Sequence, residues 1–421
     1  MNQQLEARLN ARIEAAQREC APIFERLEKT EEATFSRVLR AMQDNRVGVA
    51  HFSQTTGYGY DDIGRDTLER VFAQTFGAQD ALVRPQFVSG THALAVCLFG
   101  LLRPGDELLS AVGTPYDTMD QVIGITDCYD GSLRELGVTY RQVELTPSGE
   151  IDLPAVTQAI GERTRVVMIQ RSRGYAWRPS LSVEQIGEAA AAIHAKKPDA
   201  IVMVDNCYGE FVQEQEPTMV GADVMVGSLI KNAGGGLAPT GGYIAGRHDL
   251  VERIAYRLTS PGIGREVGSY AAGYQAFYQG FFMAPHVVCQ ALKTAVLAAR
   301  VFENFGLEVN PPSDFVQRSD IIQAIRLEKP ERLIAFCQGI QAASPVDSYA
   351  APEPWDMPGY DNQVIMAAGT FVSGASIELS ADAPMREPYN VYMQGGLTLS
   401  HGKAGIRSAL LTMAERGLIE L

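Results

Sequence analysis

The sequence predicts an α/β protein built on a mostly parallel sheet, followed by a smaller α+β domain. Short β-rich runs alternate with helical stretches between about residues 60 and 260. These runs are dense in Val, Ile and Met and lack polar alternation, which is typical of strands buried on both faces. Helices between such strands imply parallel crossover connections. Ligands in such sheets bind at the carboxyl ends of the strands, so polar residues there carry the most weight.

The N-terminal segment is predicted to be helical over residues 1–45. Leu5, Leu9 and Ile13 recur at helical spacing, and charged residues fill the opposite face. An amphipathic helix of this kind normally packs on its own domain or on a second subunit. We therefore expect an N-terminal helical arm over residues 1–55.

The large α/β domain is predicted over residues 56–300. The segment THALAVCLFGLL indicates a helix, and LPAVTQAIG and VEQIGEAAAAIHAKK indicate two more. The predicted strands are DELLSAV, VTYRQVEL, TRVVMIQ, AIVMVDN, ADVMVGS and GGYIAG. A long helical run over residues 285–306 is expected to lead out of this domain.

The remaining residues, 301–421, are predicted to form the smaller C-terminal α+β domain. Its predicted strands are VIMAAGTFV and SIEL, and its last segment, SHGKAGIRSALLTMAERGL, indicates a helix.

Composition limits the partners and the compartment. The 36 Lys and Arg residues against 50 Asp and Glu residues give a net charge of −14, which argues against nucleic acid or an anionic membrane. The six cysteines lack metal-ligand spacing, so we predict free thiols in a reducing compartment and no metal site. The N-terminus lacks the apolar region of a secretory signal, and no apolar run is long enough to span a membrane. We expect a cytoplasmic protein.

Lys231 is the first candidate for chemistry. It follows the predicted strand ADVMVGS and precedes the glycine-rich run NAGGGLAPTGGY. A lysine at a strand end among glycines is well placed for a pocket, although a loop ion pair would also fit. Burial is expected to lower the pKa of its ammonium group and make the amine a nucleophile toward aldehydes.

A phosphate site is predicted where the segment QFVSGTHAL enters a helix. Ser89, Gly90 and Thr91 would place backbone N–H groups at the helix N-terminus, where anions bind. Ser228, three residues before Lys231, would add a hydroxyl group. The same pattern taken alone is also that of an ordinary Ser/Thr helix cap.

Two further side chains suit a planar, aromatic cofactor. Asp205 ends the predicted strand AIVMVDN, where a carboxylate can hold the N–H of a pyridinium ring; a helix cap is the other interpretation. Tyr116 follows the predicted strand DELLSAV and can stack on a ring.

The order of these features resembles that of the fold-type-I pyridoxal-5′-phosphate (PLP) enzymes. Within them the chain is most similar to the cystathionine and methionine γ-lyase-related branch, and to its aluminium-resistance-protein-like subgroup. The resemblance covers about residues 50–410 and is carried by SGTHAL, DNCYGEF, GSLIKNAGGGLAPTGGYIAG and GASIELSADAPMREPY. It implies an aspartate aminotransferase-like large domain and PLP as the cofactor.

The resemblance also implies roles for matching positions. Lys231 would be the Schiff-base lysine, Asp205 would pair with the pyridine nitrogen, and Tyr116 would stack on the ring. The implied phosphate-binding residues are Ser89, Gly90, Thr91 and Ser228.

Other implied roles concern a second subunit and the substrate. The family builds its site across a subunit interface, and Tyr58 or Tyr60 is the candidate to reach a neighbour's phosphate. This chain has Tyr-Gly-Tyr where the better-known γ-lyases have Tyr-x-Arg. Arg386 is the first candidate for the substrate carboxylate, with Arg407 behind it and Arg173 near the ring or the substrate.

The resemblance implies a homo-oligomeric carbon–sulfur lyase that eliminates a thiol from a small sulfur-containing amino acid. The shared motif leaves open a retro-aldol reaction, a transamination or a γ-replacement. A non-catalytic PLP-binding, stress-associated protein is another hypothesis. A nicotinamide-dependent dehydrogenase is disfavoured, because no GxGxxG follows the first strand of a βαβ unit.

Overall fold

The N-terminal arm consists of two helices in the computed structural model, which describes residues 3–357 and 362–420. Cys20 separates helix α1 (Gln3–Glu19) from helix α2 (Ala21–Asp44). Pro22 lies in the first turn of the second helix, where a proline is tolerated. The buried face of α2 includes Phe24 and Val38, and the helix packs along α9, described below. The helical prediction for this segment is confirmed over the described residues.

The large sheet has seven strands. They are β1 (Asp80–Arg84), β2 (Glu107–Ser110), β3 (Thr139–Gln142), β4 (Thr164–Gln170), β5 (Ile201–Asp205), β6 (Val224–Ser228) and β7 (Gly242–Gly246). Their order is β1-β7-β6-β5-β4-β2-β3, and every pair of neighbours is parallel except the two pairs that β7 makes with β1 and β6. The predicted mostly parallel sheet is therefore confirmed. Strand β1 was not predicted, because a short edge strand with charged ends has no long apolar run.

Helices cover both faces of this sheet. They are α3 (Ile63–Thr75), α4 (Gly90–Leu101), α5 (Met119–Ile123), α6 (Leu153–Ala159), α7 (Val183–Lys196) and α8 (His248–Leu258). Val167 and Ile169 of β4 pack in the core on one face, while Val166 and Met168 pack in the core on the other. This alternation explains why the strands read as continuous apolar runs.

A long helix, α9 (Gln275–Glu303), connects the two sheets and crosses the predicted division at residue 300. Among the described helices, α9 alone is long and apolar enough to cross a membrane, but most of it is buried, as in a core helix. Gly280 of α9 meets the turn that follows Lys231 so closely that a Cβ there would overlap the carbonyl group of Gly234. The glycines after Lys231 therefore allow two backbones to touch.

The smaller sheet is antiparallel and has the order β10-β11-β12-β9-β8. Its strands are β8 (Val309–Asn310), β9 (Gln323–Arg326), β10 (Val364–Ala367), β11 (Ser380–Pro384) and β12 (Asn390–Gln394). Two helices, α10 (Pro330–Ala342) and α11 (Leu399–Glu415), pack against each other beside it. The partition of the chain into domains at residues 55 and 300 stays a prediction.

Two strand predictions in this region need correction. The strand predicted for VIMAAGTFV stops at Ala367, and SIEL is not a strand but a turn that precedes β11. The buried carboxylate of Glu378 accepts hydrogen bonds from the backbone amides of Phe371 and Val372, at 2.9 and 3.0 Å. These bonds fold the segment back on itself, which local apolar character does not reveal.

Candidate active site

A cavity of about 240 Å³ lies at the carboxyl ends of β4, β5 and β6, against the N-terminus of α4. Gln170, Asp205 and Ser228 are the last residues of these three strands, and all three line the cavity. The structure thus brings side chains that are far apart in the sequence to the edge where parallel sheets bind ligands.

Lys231 lines this cavity three residues beyond the end of β6. Its backbone amide donates to the carbonyl of Ser228 at 3.4 Å, and its Nζ lies 4.1 Å from the centre of the Tyr208 ring. The turn from Ser228 to Lys231 is therefore tight, and the Lys231 amine lies over the face of the Tyr208 ring.

The expected lowering of the pKa of Lys231 is wrong for this cavity. Burial disfavours the ammonium ion, but Cys207, Tyr208, Asp205 and Glu210 together outweigh it and raise the pKa above its usual value. These groups therefore favour the ammonium form of Lys231.

Asp205 is a buried carboxylate that lines the same cavity as Lys231. Its Oδ1 accepts a hydrogen bond from the backbone amide of Cys207 at 3.1 Å. Burial raises the pKa of Asp205, and the charge of Lys231 opposes that rise. A cationic N–H within the cavity would stabilise the ionised form, which is what a protonated pyridine nitrogen offers.

The N-terminus of α4 forms the anion-binding end. Ser89 is the N-cap and its Oγ accepts from the amide of His92 at 3.0 Å, so its hydroxyl serves the helix rather than the cavity. Gly90 and Thr91 line the cavity, and a Cβ on Gly90 would lie 3.3 Å from the Cβ of Ser228. Glycine therefore keeps the space between the helix start and Ser228 open.

Tyr116 also lines the cavity. Its backbone amide donates to Gln170 Oε1 at 2.6 Å, and its ring centre lies 5.9 Å from that of Tyr175. The backbone of Tyr116 is thereby held by the end of β4, and its ring contacts a second aromatic residue.

Several lining residues were not predicted, notably Gln170, Tyr208, Cys207 and Thr118. Tyr208 adopts the left-handed conformation with φ of 71°, which is costly for a bulky residue and typical of functional loops. The position of DNCYGEF directly after a strand was a usable signal for Cys207 and Tyr208. Gln170 was detectable as the last residue of its strand.

Tyr58 and Tyr60 lie on the surface rather than in this chain's own cavity. They are 71% and 60% exposed, and their ring centres are 5.5 Å apart. The carbonyl of Tyr58 accepts from the amide of Gly268 at 2.9 Å, which holds the segment on the large domain.

The structure does not bring the three predicted substrate arginines to the cavity, and no arginine lines it within the described ranges. Arg386 is exposed on the turn between β11 and β12, and Arg407 on α11 donates to Asn10 Oδ1 at 3.2 Å. Arg173 is buried, but it donates to the carbonyl of Asn310 at 2.8 Å. Arg386 lies on a turn of the antiparallel sheet and Arg407 on a helix packed against the N-terminal arm, and the order of residues in the sequence does not reveal either placement.

The cavity fits a phosphorylated pyridine aldehyde. It offers a helix N-terminus with an open glycine, a buried carboxylate in Asp205, and the lysine amine of Lys231. These are the donor set and charge pattern that such a cofactor needs.

Comparisons with known proteins agree with this geometry. A family model described as methionine gamma-lyase matches residues 9–414. The uncharacterized protein YnbB of Bacillus subtilis (strain 168) is 52% identical over 400 residues, which cover 95% of each chain. The carbon-sulfur lyase involved in aluminum resistance from Clostridium novyi NT has a solved structure with a TM-score of 0.92 and 50% identity, covering 96% of this chain and 95% of that one.

A more distant structure supports the fold. The pyridoxal-5′-phosphate dependent protein YhfS from Escherichia coli is 16% identical, with a TM-score of 0.63 over 92% of this chain and 97% of its own. The fold is thus that of PLP-dependent fold-type-I proteins, with a large mostly parallel sheet and a smaller antiparallel one.

Proposed function

Since the chain belongs to the methionine γ-lyase family, we propose that it is a PLP-dependent carbon–sulfur lyase acting on a sulfur-containing amino acid. Its relatives make it a cystathionine/methionine lyase-like protein of the PLP type. The observation that supports the proposal most is the convergence of Lys231, Asp205, Ser228 and Gly90 on one cavity.

Each lining group has a defined task toward the cofactor. The N-terminus of α4 and Ser228 would hold the phosphate, Tyr116 would stack on the ring, and Asp205 would keep the ring nitrogen protonated. Bound PLP supplies an electron sink for the substrate Cα carbanion. Lys231 would hold the cofactor covalently and, once released by substrate, take the Cα proton as a free amine.

The overall reaction needs one water molecule and no oxidant. The C–S bond breaks with its electron pair on sulfur, the thiolate takes a proton, and hydrolysis gives a keto acid and ammonia. Tyr116 is our candidate to carry that proton, because its side chain lines the same cavity as Lys231.

A substrate panel tests the proposal directly. The purified protein with added PLP should release a keto acid, ammonia and a thiol or hydrogen sulfide in equal amounts from at least one of methionine, cystathionine, cysteine and homocysteine. A keto acid without ammonia would indicate transamination, and no turnover of any of these amino acids would contradict the lyase. An aldehyde released from threonine, which has the β-hydroxyl group that the others lack, would indicate retro-aldol cleavage.

We also propose a homo-oligomer in which Tyr58 or Tyr60 reaches the phosphate of a neighbouring subunit. The exposure of both tyrosine rings outside this chain's own cavity supports such a contact with a neighbouring subunit. Tyr60→Phe combined with Tyr58→Phe should weaken PLP binding by about tenfold without unfolding the protein, because one or two hydrogen bonds to a charged phosphate are lost. Light scattering that shows an active monomer would contradict the proposal; the exposed Tyr256→Phe is the control.

A further inference from the structure

Glu210 is a fully buried carboxyl group directly behind the lysine segment. It lies on the loop after β5 and has no exposed surface. Its backbone carbonyl accepts from Asn232 Nδ2 at 3.0 Å, and a Cβ on Gly227 would collide with its Oε1. Glu210 therefore touches the residue before Ser228 and the residue after Lys231.

The carboxyl group of Glu210 is poorly satisfied as an anion. The hydroxyl of Tyr243 donates to Oε1 at 2.8 Å, whereas Oε2 is buried without a hydrogen-bond partner among the described residues. The nearby guanidinium of Arg171 is paired with Glu216 at 3.7 Å. An enclosed carboxylate with one unpartnered oxygen is strongly disfavoured, and the neutral acid costs less.

The groups around Glu210 come from four parts of the sheet edge. They are Tyr243 on β7, Lys231 after β6, Cys207 and Glu216 after β5, and Arg171 after β4. Burial, together with the charge of Glu216, raises the pKa of Glu210 to about 8. Its own backbone amide, the Tyr243 hydroxyl and the charge of Lys231 lower the pKa but do not outweigh burial. The carboxyl group is thus neutral at pH 7 and ionises as the pH rises through about 8.

We propose that Glu210 is a positioning residue whose neutral form permits Lys231 to react, and whose ionised form holds Lys231 as an unreactive ammonium ion. The inference rests on the proposed function, because it takes Lys231 as the lysine that bonds the cofactor. The negative charge of an ionised Glu210 favours the ammonium form of Lys231, and only the free amine attacks a carbonyl carbon. In that attack a C=N bond forms and the carbonyl oxygen leaves as water.

Glu210→Gln tests this, because glutamine has the shape of the neutral acid and cannot ionise. The rate at which added PLP attaches to cofactor-free protein is measured by stopped-flow absorbance from about pH 6.5 to 9.5. The two proteins should attach PLP at the same rate near pH 7. Above pH 9 the variant should be about tenfold faster, because lowering the pKa of the Lys231 amine by about one raises the fraction of free amine about tenfold. Glu214→Gln, on the exposed part of the same loop, should follow the wild type at every pH.

Equal rates at all pH values would overturn the inference while leaving the proposed function intact. A Glu210→Gln protein slower at pH 7 would overturn it too, because Glu210 would then act as an anion. If the wild type attaches no PLP at any pH, it is the proposed function that fails.

A second measurement serves if Glu210→Gln does not fold. Infrared spectra of the cofactor-free wild type should show the C=O band of a protonated carboxyl group at pH 7, which fades above about pH 8. Tyr243→Phe removes the hydrogen bond to Oε1 and should move both this fading and the slowing of PLP attachment to higher pH. A band that is absent at pH 7, or that Tyr243→Phe does not shift, would contradict the inference.

Discussion

Lys231→Ala should abolish covalent attachment of PLP and lower turnover by about 10⁴-fold, the upper range for loss of a positioned base. The variant should still bind PLP, because the N-terminus of α4, Tyr116 and Asp205 remain. The visible absorbance band of lysine-bound cofactor should be absent, and borohydride treatment should leave no cofactor on the protein.

The matched control is Lys196→Ala, which removes an exposed lysine at the end of α7. It should keep the band, the borohydride-trapped cofactor and the turnover. Cofactor trapped on the Lys231→Ala protein would place the covalent link on another lysine and would remove the basis of the proposed function.

Much of the large domain was predictable, because its strands are buried on both faces and its helices are amphipathic or apolar. The strands at the centre of the sheet, such as β4 and β5, were predicted for this reason. Strand β1 and the extent of β11 were not, since short strands at edges and loops held by side chains depend on distant partners. The segment before β11 is instead folded by a nearby side chain, the buried carboxylate of Glu378, whose bond to the amide of Phe371 the apolar pattern does not reveal.

The residues of the candidate site were predictable where they lie at the carboxyl end of a buried strand. Lys231, Asp205 and Ser228 each end or follow a buried strand, so their meeting could be expected. Arg386 could not be placed in this way, because it lies on a turn of the antiparallel sheet, whose position relative to the large sheet is set by tertiary packing.

The electrostatics of the site were the least predictable part. The pKa of a buried lysine depends on which acids share its cavity, and Glu210 becomes its neighbour only through folding of the loop after β5. Sequence alone therefore gave the wrong direction for the pKa shift of Lys231, although it identified the residue.

Asp205→Ala should give the opposite pattern from Lys231→Ala. The cofactor should still attach to Lys231 and show its absorbance band, but turnover should fall by about 10²–10⁴-fold. The physical reason is that a pyridine nitrogen without a carboxylate partner loses its proton, and a neutral ring is a weaker electron sink. The measurement is kcat with the best substrate of the panel, beside the absorbance spectrum.

Asp205→Asn separates charge from hydrogen bonding in this effect. Asparagine keeps the size and one hydrogen bond of Asp205 but cannot stabilise a cation, so its kcat should fall nearly as far as that of Asp205→Ala. Asp199→Asn, an exposed position just before β5, should leave kcat unchanged. If Asp205→Asn retained wild-type turnover, the carboxylate would serve only to orient the ring, and the protonated ring nitrogen would not be needed for the carbanion.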